Sequence, residues 1–252
     1  MPNTEVQILG DIMSRPRPLS GMRPDDVFYE LSPVTEYLLL GGAPAVTVER
    51  IRQLGVTCVI NVTELPNLPV AGVDYIRIAI DDLPSAQLSA FFDSAADAVE
   101  QQRRRGGRTL IHCVAGVSRS ASLVLAHQVK HAGLSLREAF QRVRSRRAVV
   151  RPNAGFFQQL IEFERRVRGS ASVRMVRHPA GGGELIPDVY ETEYRRLIGW
   201  AEWLRTKNLE PEDDSAEWWP DADDCCDDEW RGGVCGADDV ARGRERAGPR
   251  GL

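Results

Sequence analysis

No stretch of this chain stays apolar for the about 20 residues that a membrane-spanning helix needs, so no bilayer span is expected. The opening residues, MPNTEVQILGDIMSRPRPLSG, hold no cationic start followed by an apolar stretch, so no secretory leader is expected. Cysteine is scarce and odd in number: Cys58 and Cys113 each close on an apolar run, and Cys225, Cys226 and Cys235 sit together near the end. Five thiols so placed exclude a disulfide framework and fit a reducing compartment, cytoplasmic or nuclear. No internal repeat is visible, which sets solenoids and propellers aside. The arginine-rich stretches carry no interleaved aromatics, so nucleic acid is not the expected partner.

What remains is a chain with 42% hydrophobic residues, enough for a globular core in 252 residues. The formal net charge of −4 conceals an asymmetry. Glu210 to Asp239 is densely acidic, and the sequence before it is rich in arginine. The body is therefore basic and suited to an anionic substrate.

Residues 1–25 mix Pro, Gly, Arg and Ser without periodicity and read as a flexible arm. Two short strands or a hairpin are expected from VFYEL and EYLLLGG, which flank Ser32-Pro33. TVERIRQLG is helical in pattern, with Val48, Ile51 and Leu54 on one face and Gly55 as a stop. VTCVINV (56–62) and DYIRIAI (74–80) read as strands, and RTLIH (108–112) as a third. Between and after them, QLSAFFDSAADAVEQQRRRGG, the segment from Arg119 to His131, LSLREAFQRVRSRR and NAGFFQQLIEFERRVRG have helical periods. The expected fold class is α/β, a small and mostly parallel central sheet flanked by helices. Residues 171–205 read as an extension whose PDVYETEYRRLIGWAEWL forms a docked amphipathic helix, and residues 206–252 as an acidic disordered tail with Trp218, Trp219 and Trp230.

The chemistry concentrates in TLIHCVAGVSRSAS (109–122). A strand ends at His112-Cys113, and five small or modest residues, Val114, Ala115, Gly116, Val117 and Ser118, lead to Arg119 and a helix start. Backbone N–H groups of such a loop, with the helix N-terminus behind them, form a ring for a phosphoryl group. Arg119 is placed to grip two phosphoryl oxygens at once. A cysteine at the bottom of that ring is expected as a thiolate nucleophile, with His112 fixing the loop and adding to its stabilisation, and with the Ser120 hydroxyl near the sulfur. A phosphoester also needs a proton for its leaving oxygen, and AIDDLPSAQ supplies Asp82 on a separate loop, with Asp81 as the alternative.

These residues resemble the cysteine-dependent dual-specificity protein phosphatases. HCVAGVSRSAS matches the HCxxGxxRS signature of that family, and INVTELPN, DLP and RPNAGFFQQLIEFE match its flanking segments in order. VRMV (173–176) and PDVYETE (187–193) bring the chain nearest to the small atypical subgroup of dual-specificity phosphatases fourteen, eighteen and twenty-one. The likeness runs from about residue 26 to residue 200, and 26–170 would be the catalytic domain with the cysteine-phosphatase fold. It implies hydrolysis of phosphotyrosine and phosphoserine or phosphothreonine through a metal-free phosphocysteine, with no cofactor and with Asn153 supporting the phosphate loop. It also implies phosphorylated protein partners, including mitogen-activated kinase pathway proteins. No kinase-docking domain is expected ahead of residue 26.

Alternatives of different class remain. Phosphoinositide or RNA 5′-triphosphate substrates would suit the same fold, but lipid-directed members tend to carry lysine or arginine where Val114 and Val117 stand. A phosphoprotein-binding scaffold is the non-enzymatic alternative. In LAHQVK, His127 and Gln128 stand where the family usually has an aromatic and an aliphatic residue, a change expected to affect surface contacts of that helix. His127 and His131 read as surface histidines and not as metal ligands. Cys58 reads as core, with redox partnership to Cys113 as the other reading. The arginines of Arg144 to Arg151 read either as a solvated helix face or as an attractor of acidic phosphopeptides.

Overall fold

A computed structural model describes residues 28–206. The arm expected at 1–25, the acidic segment with its three tryptophans, and Cys225, Cys226 and Cys235 lie outside the described residues.

Five strands form one sheet: β1 (Leu31–Thr35), β2 (Leu38–Gly42), β3 (Cys58–Asn61), β4 (Asp74–Arg77) and β5 (Thr109–Cys113), in the order β1-β2-β5-β3-β4. Only β1 runs antiparallel to its neighbour; β2, β5, β3 and β4 are mutually parallel. The strands read as unbroken apolar runs because both faces are covered. Leu38, Leu40, Cys58, Ile60, Ile111 and Cys113 point into the main core, while Leu39, Val59 and Leu110, each one residue out of phase, point into a smaller core under α1 (Val48–Gln53). The period of two along each strand thus divides one sheet between two layers.

The main core is roofed by α2 (Phe92–Arg104), α3 (Arg119–Lys130), α4 (Leu136–Arg146) and α5 (Ala154–Arg168). α3 runs through the middle of this layer, and every residue from Arg119 to Val129 is buried. Local chemistry sets the helix starts. Thr47 accepts from Arg50 N at 3.2 Å, Ser135 and Glu138 form a reciprocal capping box, and Asn153 accepts from Phe156 N at 2.9 Å.

After α5 come a short antiparallel pair, β6 (Met175–Arg177) and β7 (Leu185–Pro187), and then α6 (Glu191–Thr206). Val173, Ile186 and Tyr190 are buried in the main core, so the extension completes it. The first turn of α6 is held by Glu193, which pairs with both Arg144 and Arg151 at 3.0 Å. Further along the same helix Leu197 and Trp203 are exposed.

Several expectations change. Ser32-Pro33 does not separate two segments: both residues lie within β1, and the chain reverses at Glu36-Tyr37. An edge strand tolerates the missing N–H of proline. The strand expected through Ile80 ends at Arg77, because the chain then leaves the sheet to carry Asp82 over the end of β5. His127 and Gln128, expected at the surface, are both fully buried. Cys58 pairs in register with Thr109, four residues below Cys113, or about 13 Å along the strand. That separation is about twice what a disulfide spans, so Cys58 is a core residue and no redox partner of Cys113.

Candidate active site

Cys113 stands at the C-terminal end of the central strand β5, with parallel neighbours on both sides. Its loop then turns back over the strand. Gly116 lies at φ +71°, a left-handed conformation in which other residues are strained. A Cβ there would also fall 2.5 Å from the Gly41 carbonyl carbon, so the loop packs directly on β2. In that position the Gly116 N–H points at Cys113 Sγ, at 3.2 Å, and the Ser120 hydroxyl approaches the same sulfur at 3.1 Å. Two donors from the loop and from the first turn of α3 therefore converge on one sulfur.

Asp82 reaches the mouth of the loop from the segment after β4. Its Oδ1 accepts from Ser118 Oγ and from Asn153 Nδ2, both at 2.7 Å, and its Oδ2 lies 3.6 Å from Arg119 Nε. Asp81, its neighbour, is exposed. Arg119 is almost fully buried and also donates to the Ile80 carbonyl at 3.2 Å, which ties the arginine to the acid-bearing segment. That segment is pressed on the start of α5. A Cβ on Gly155 would sit 1.9 Å from the Pro84 carbonyl oxygen, and Gln159 bonds both Ser89 N and Ala86 O at 2.8 Å.

His112 faces away from the sulfur. Burial pushes its imidazole pKa down to about 4, so the ring is neutral at neutral pH and adds no positive charge to the loop. The electrostatic help expected from it is corrected to a weaker backbone role: Nδ1 lies 3.4 Å from the Cys113 carbonyl, and the His112 carbonyl accepts from Val62 N at 2.8 Å.

The cationic support comes from a residue that the sequence did not single out. Arg147 is 1% exposed and lies behind the loop, where it donates to the Gly116 and Ala115 carbonyls, each at 2.9 Å, and to the Ser32 hydroxyl and Glu30 carbonyl at 3.3 Å. Burial lowers its pKa, and the charges of Cys113 and Glu30 oppose that shift. Within an arginine-rich helix end nothing local distinguishes it from its neighbours. Its signal is tertiary: two loop carbonyls that need donors.

The segment after Arg147 joins three parts of the molecule through three consecutive residues. Arg151 N donates to the Val117 carbonyl at 2.9 Å, the Pro152 carbonyl accepts from Tyr190 Oη at 3.0 Å, and Asn153 holds Asp82. The Arg151 guanidinium packs over the rings of Tyr190 and Tyr194, 4.5 and 4.9 Å from their centroids, and pairs with Glu193. The loop after Cys113, the extension and the Asp82 segment are thus fixed against one another. The arginines of 144–151 are neither a uniform solvated face nor a free basic patch.

The arrangement brings together a cysteine sulfur at the base of a backbone loop, a carboxylate at the mouth of that loop and an arginine beside the carboxylate. Together with the parallel sheet and its helical roof, these define a cysteine-phosphatase fold. Residues 38–166 match the family model of the dual specificity phosphatase catalytic domain, and the chain belongs to that family. Bovine dual specificity protein phosphatase 14 is 41% identical over 170 residues, 67% of this chain and 84% of its own. Rat dual specificity protein phosphatase 18 is 42% identical over 170 residues, 67% of this chain and 82% of its own, and the human phosphatase 21 is 38% identical over 172 residues, 68% and 89%. Among solved structures, human DUSP28 is similar at a TM-score of 0.53 and 37% identity, covering 55% of this chain and 95% of its own. A mouse putative dual specificity phosphatase complexed with zinc tungstate matches at 0.53 and 34%, covering 55% and 89%. The chain is a dual-specificity protein phosphatase of the atypical subgroup to which the first three relatives belong, and its substrates are phosphoproteins. Among the described residues no helix is long and apolar enough to cross a membrane.

Proposed function

We propose that this phosphatase works through a phosphocysteine, with Cys113 as nucleophile and Asp82 as the acid that becomes a base. The observation that carries this reading is the convergence of Gly116 N and Ser120 Oγ on the Cys113 sulfur while Asp82 stands across the loop mouth. The thiolate attacks phosphorus as the P–O bond to the substrate side chain breaks, and protonated Asp82 delivers its proton to the departing oxygen. Arg119 and the N–H groups of Val114 to Ser118 bear the charge on the phosphoryl oxygens. Water then attacks the phosphocysteine and Asp82 takes its proton. The S–P bond breaks, inorganic phosphate leaves, and Cys113 returns as a thiolate beside Ser120. A tetrahedral oxyanion, tungstate, is named in the mouse relative's complex, and that supports an anion cradle of this kind.

Residues 26–170 are read as the catalytic unit and 171–205 as its extension. Phosphotyrosine and phosphothreonine of mitogen-activated kinase pathway proteins are carried as the substrates, on the strength of the subgroup. Rapid quench of the full chain with a 32P-labelled phosphotyrosyl peptide tests the mechanism. A protein-bound label that is stable to alkali and lost in mild acid should form with wild type and be absent from Cys113→Ser. Asp82→Ala should lower kcat by about 10²–10⁴-fold with aryl or alkyl esters and far less with a leaving group that needs no proton. Wild-type turnover by Cys113→Ser would overturn the reading. Parallel assays on a doubly phosphorylated activation-loop peptide and a phosphoinositide test the substrate class.

A further inference from the structure

A serine stands on each side of Arg119, and the two hydroxyls go to different parts of the site. Ser120 Oγ lies 3.1 Å from the Cys113 sulfur. Ser118 Oγ turns the other way, to Asp82 Oδ1 at 2.7 Å. Ser118 occupies the N-cap position of α3, where a serine side chain ordinarily accepts from a backbone N–H two or three residues on. Its hydroxyl makes no such bond. The cap that this residue type favours is set aside for a contact with a segment 36 residues earlier in the chain.

The direction of that contact follows from the groups around it. A hydroxyl has one proton to give. The Asn153 backbone N–H, a donor only, meets Ser118 Oγ at 3.1 Å, which leaves the hydroxyl proton for Asp82. Asn153 Oδ1 accepts from Phe156 N, so the amide's other end, Nδ2, is the one that donates to Asp82 Oδ1 at 2.7 Å. Oδ1 therefore receives two donors, and a proton placed there would face both. The proton that an acid carries belongs on Oδ2, the oxygen turned toward Arg119 and 3.6 Å from its Nε. The first turn of α3 is held separately: the Ser118 carbonyl accepts from Ser122 N at 2.9 Å and from Ser122 Oγ at 2.8 Å.

We propose that Ser118 is a positioning residue for the acid step: its hydroxyl, with the Asn153 amide, fixes Asp82 by Oδ1, so that Oδ2 carries the proton. The proposal rests on the reading of Cys113 and Asp82 given above. As the P–O bond to the substrate breaks, its electron pair stays with the leaving oxygen, which takes the proton from Oδ2. The resulting carboxylate keeps both donors on Oδ1, and Oδ2 later accepts the proton of the attacking water. Ser118 itself neither gains nor loses a proton. Because it belongs to the loop that receives the phosphoryl group, that loop also sets where the acid stands.

The test compares kcat/KM of Ser118→Ala for two substrates: a phosphotyrosyl peptide, whose leaving oxygen needs a proton, and 2,4-dinitrophenyl phosphate, whose leaving oxygen does not. The variant should lose about tenfold or more on the peptide and about twofold or less on the activated ester. In an Asp82→Ala background the same substitution should alter either rate by less than about twofold, because the group it positions is gone. Tungstate inhibition should stay within about twofold of wild type, since the N–H groups of the loop are untouched. Should the alanine variant fail to fold, Ser118→Gly, which also lacks the hydroxyl, takes its place. An undiminished peptide rate, equal losses on both substrates, or a loss that persists beside Asp82→Ala would overturn the proposal while leaving Asp82 as the acid. An Asp82→Ala protein with no preference for the activated ester would overturn the acid reading and the proposal with it, so the two failures are distinguishable.

Discussion

Asn153 donates its side-chain amide to Asp82 Oδ1 at 2.7 Å while its side-chain oxygen caps α5 through Phe156 N at 2.9 Å. One residue therefore orients the proposed acid and starts the helix that backs it. The two roles can be separated. Asn153→Asp keeps a capping oxygen but replaces the donor with a charge facing Asp82. Urea unfolding should change by less than about 1 kcal/mol, whereas kcat should fall about ten- to hundredfold. An Asn153→Asp enzyme with wild-type kcat would show that the amide does not position the acid.

Gly155 matters for its missing side chain. With the Pro84 carbonyl oxygen 1.9 Å from where a Cβ would be, Gly155→Ala must push the Asp82 segment outward. A folded protein with kcat reduced more than tenfold is expected, and a leaving group that needs no proton should restore most of the rate. Comparison of esters with good and poor leaving groups reads this directly.

Arg147 should prove as necessary to the loop as the residues that touch phosphate. Arg147→Met fills much of the volume but leaves the Ala115 and Gly116 carbonyls without these donors. Buried acceptors so deprived cost about 1–3 kcal/mol each. Urea denaturation should show a loss of about 3 kcal/mol, and oxyanion inhibitors should bind more weakly. Retained stability in Arg147→Met would mean that the loop closes without it.

Acid should unfold this protein earlier than its carboxylates alone would require. His112 and His127 both have pKa values pushed down to about 4 by burial, with a further lowering at His127 from His131. The unfolded chain takes up these protons near pH 6.5, so between pH 6.5 and about 4 it binds more protons than the folded one. Stability is therefore full above pH 6.5 and falls as the pH drops through that window. Each histidine should cost about 2 kcal/mol between pH 7 and pH 5. Imidazole C2–H shifts give the check, since neither ring should titrate above pH 5 in the native state.

The sheet was legible in the sequence because buried parallel strands leave continuous apolar runs, and the helices were legible from their caps and periods. The loop from Cys113 to Arg119 was legible because its residue types are dictated by backbone geometry and charge. Arg147 was not: its partners are carbonyls that any sequence possesses. Nor were the buried positions of His127 and Gln128, since α3 is enclosed on every side and polar residues in a helix ordinarily mark the solvent face. The end of β4 at Arg77 was missed for a related reason. Ile78 and Ile80 continue the alternation of a strand, but the chain there is bound for Asp82.

The central place of β5 has a consequence for how the molecule fails. Its hydrogen bonds run to β2 on one side and β3 on the other, so no local fraying can release the segment that presents Cys113. The amides of Ile111 to Cys113 should exchange with solvent only when the whole domain opens. Activity and structure are then lost together on heating, with no intermediate temperature at which a folded but disarmed protein accumulates.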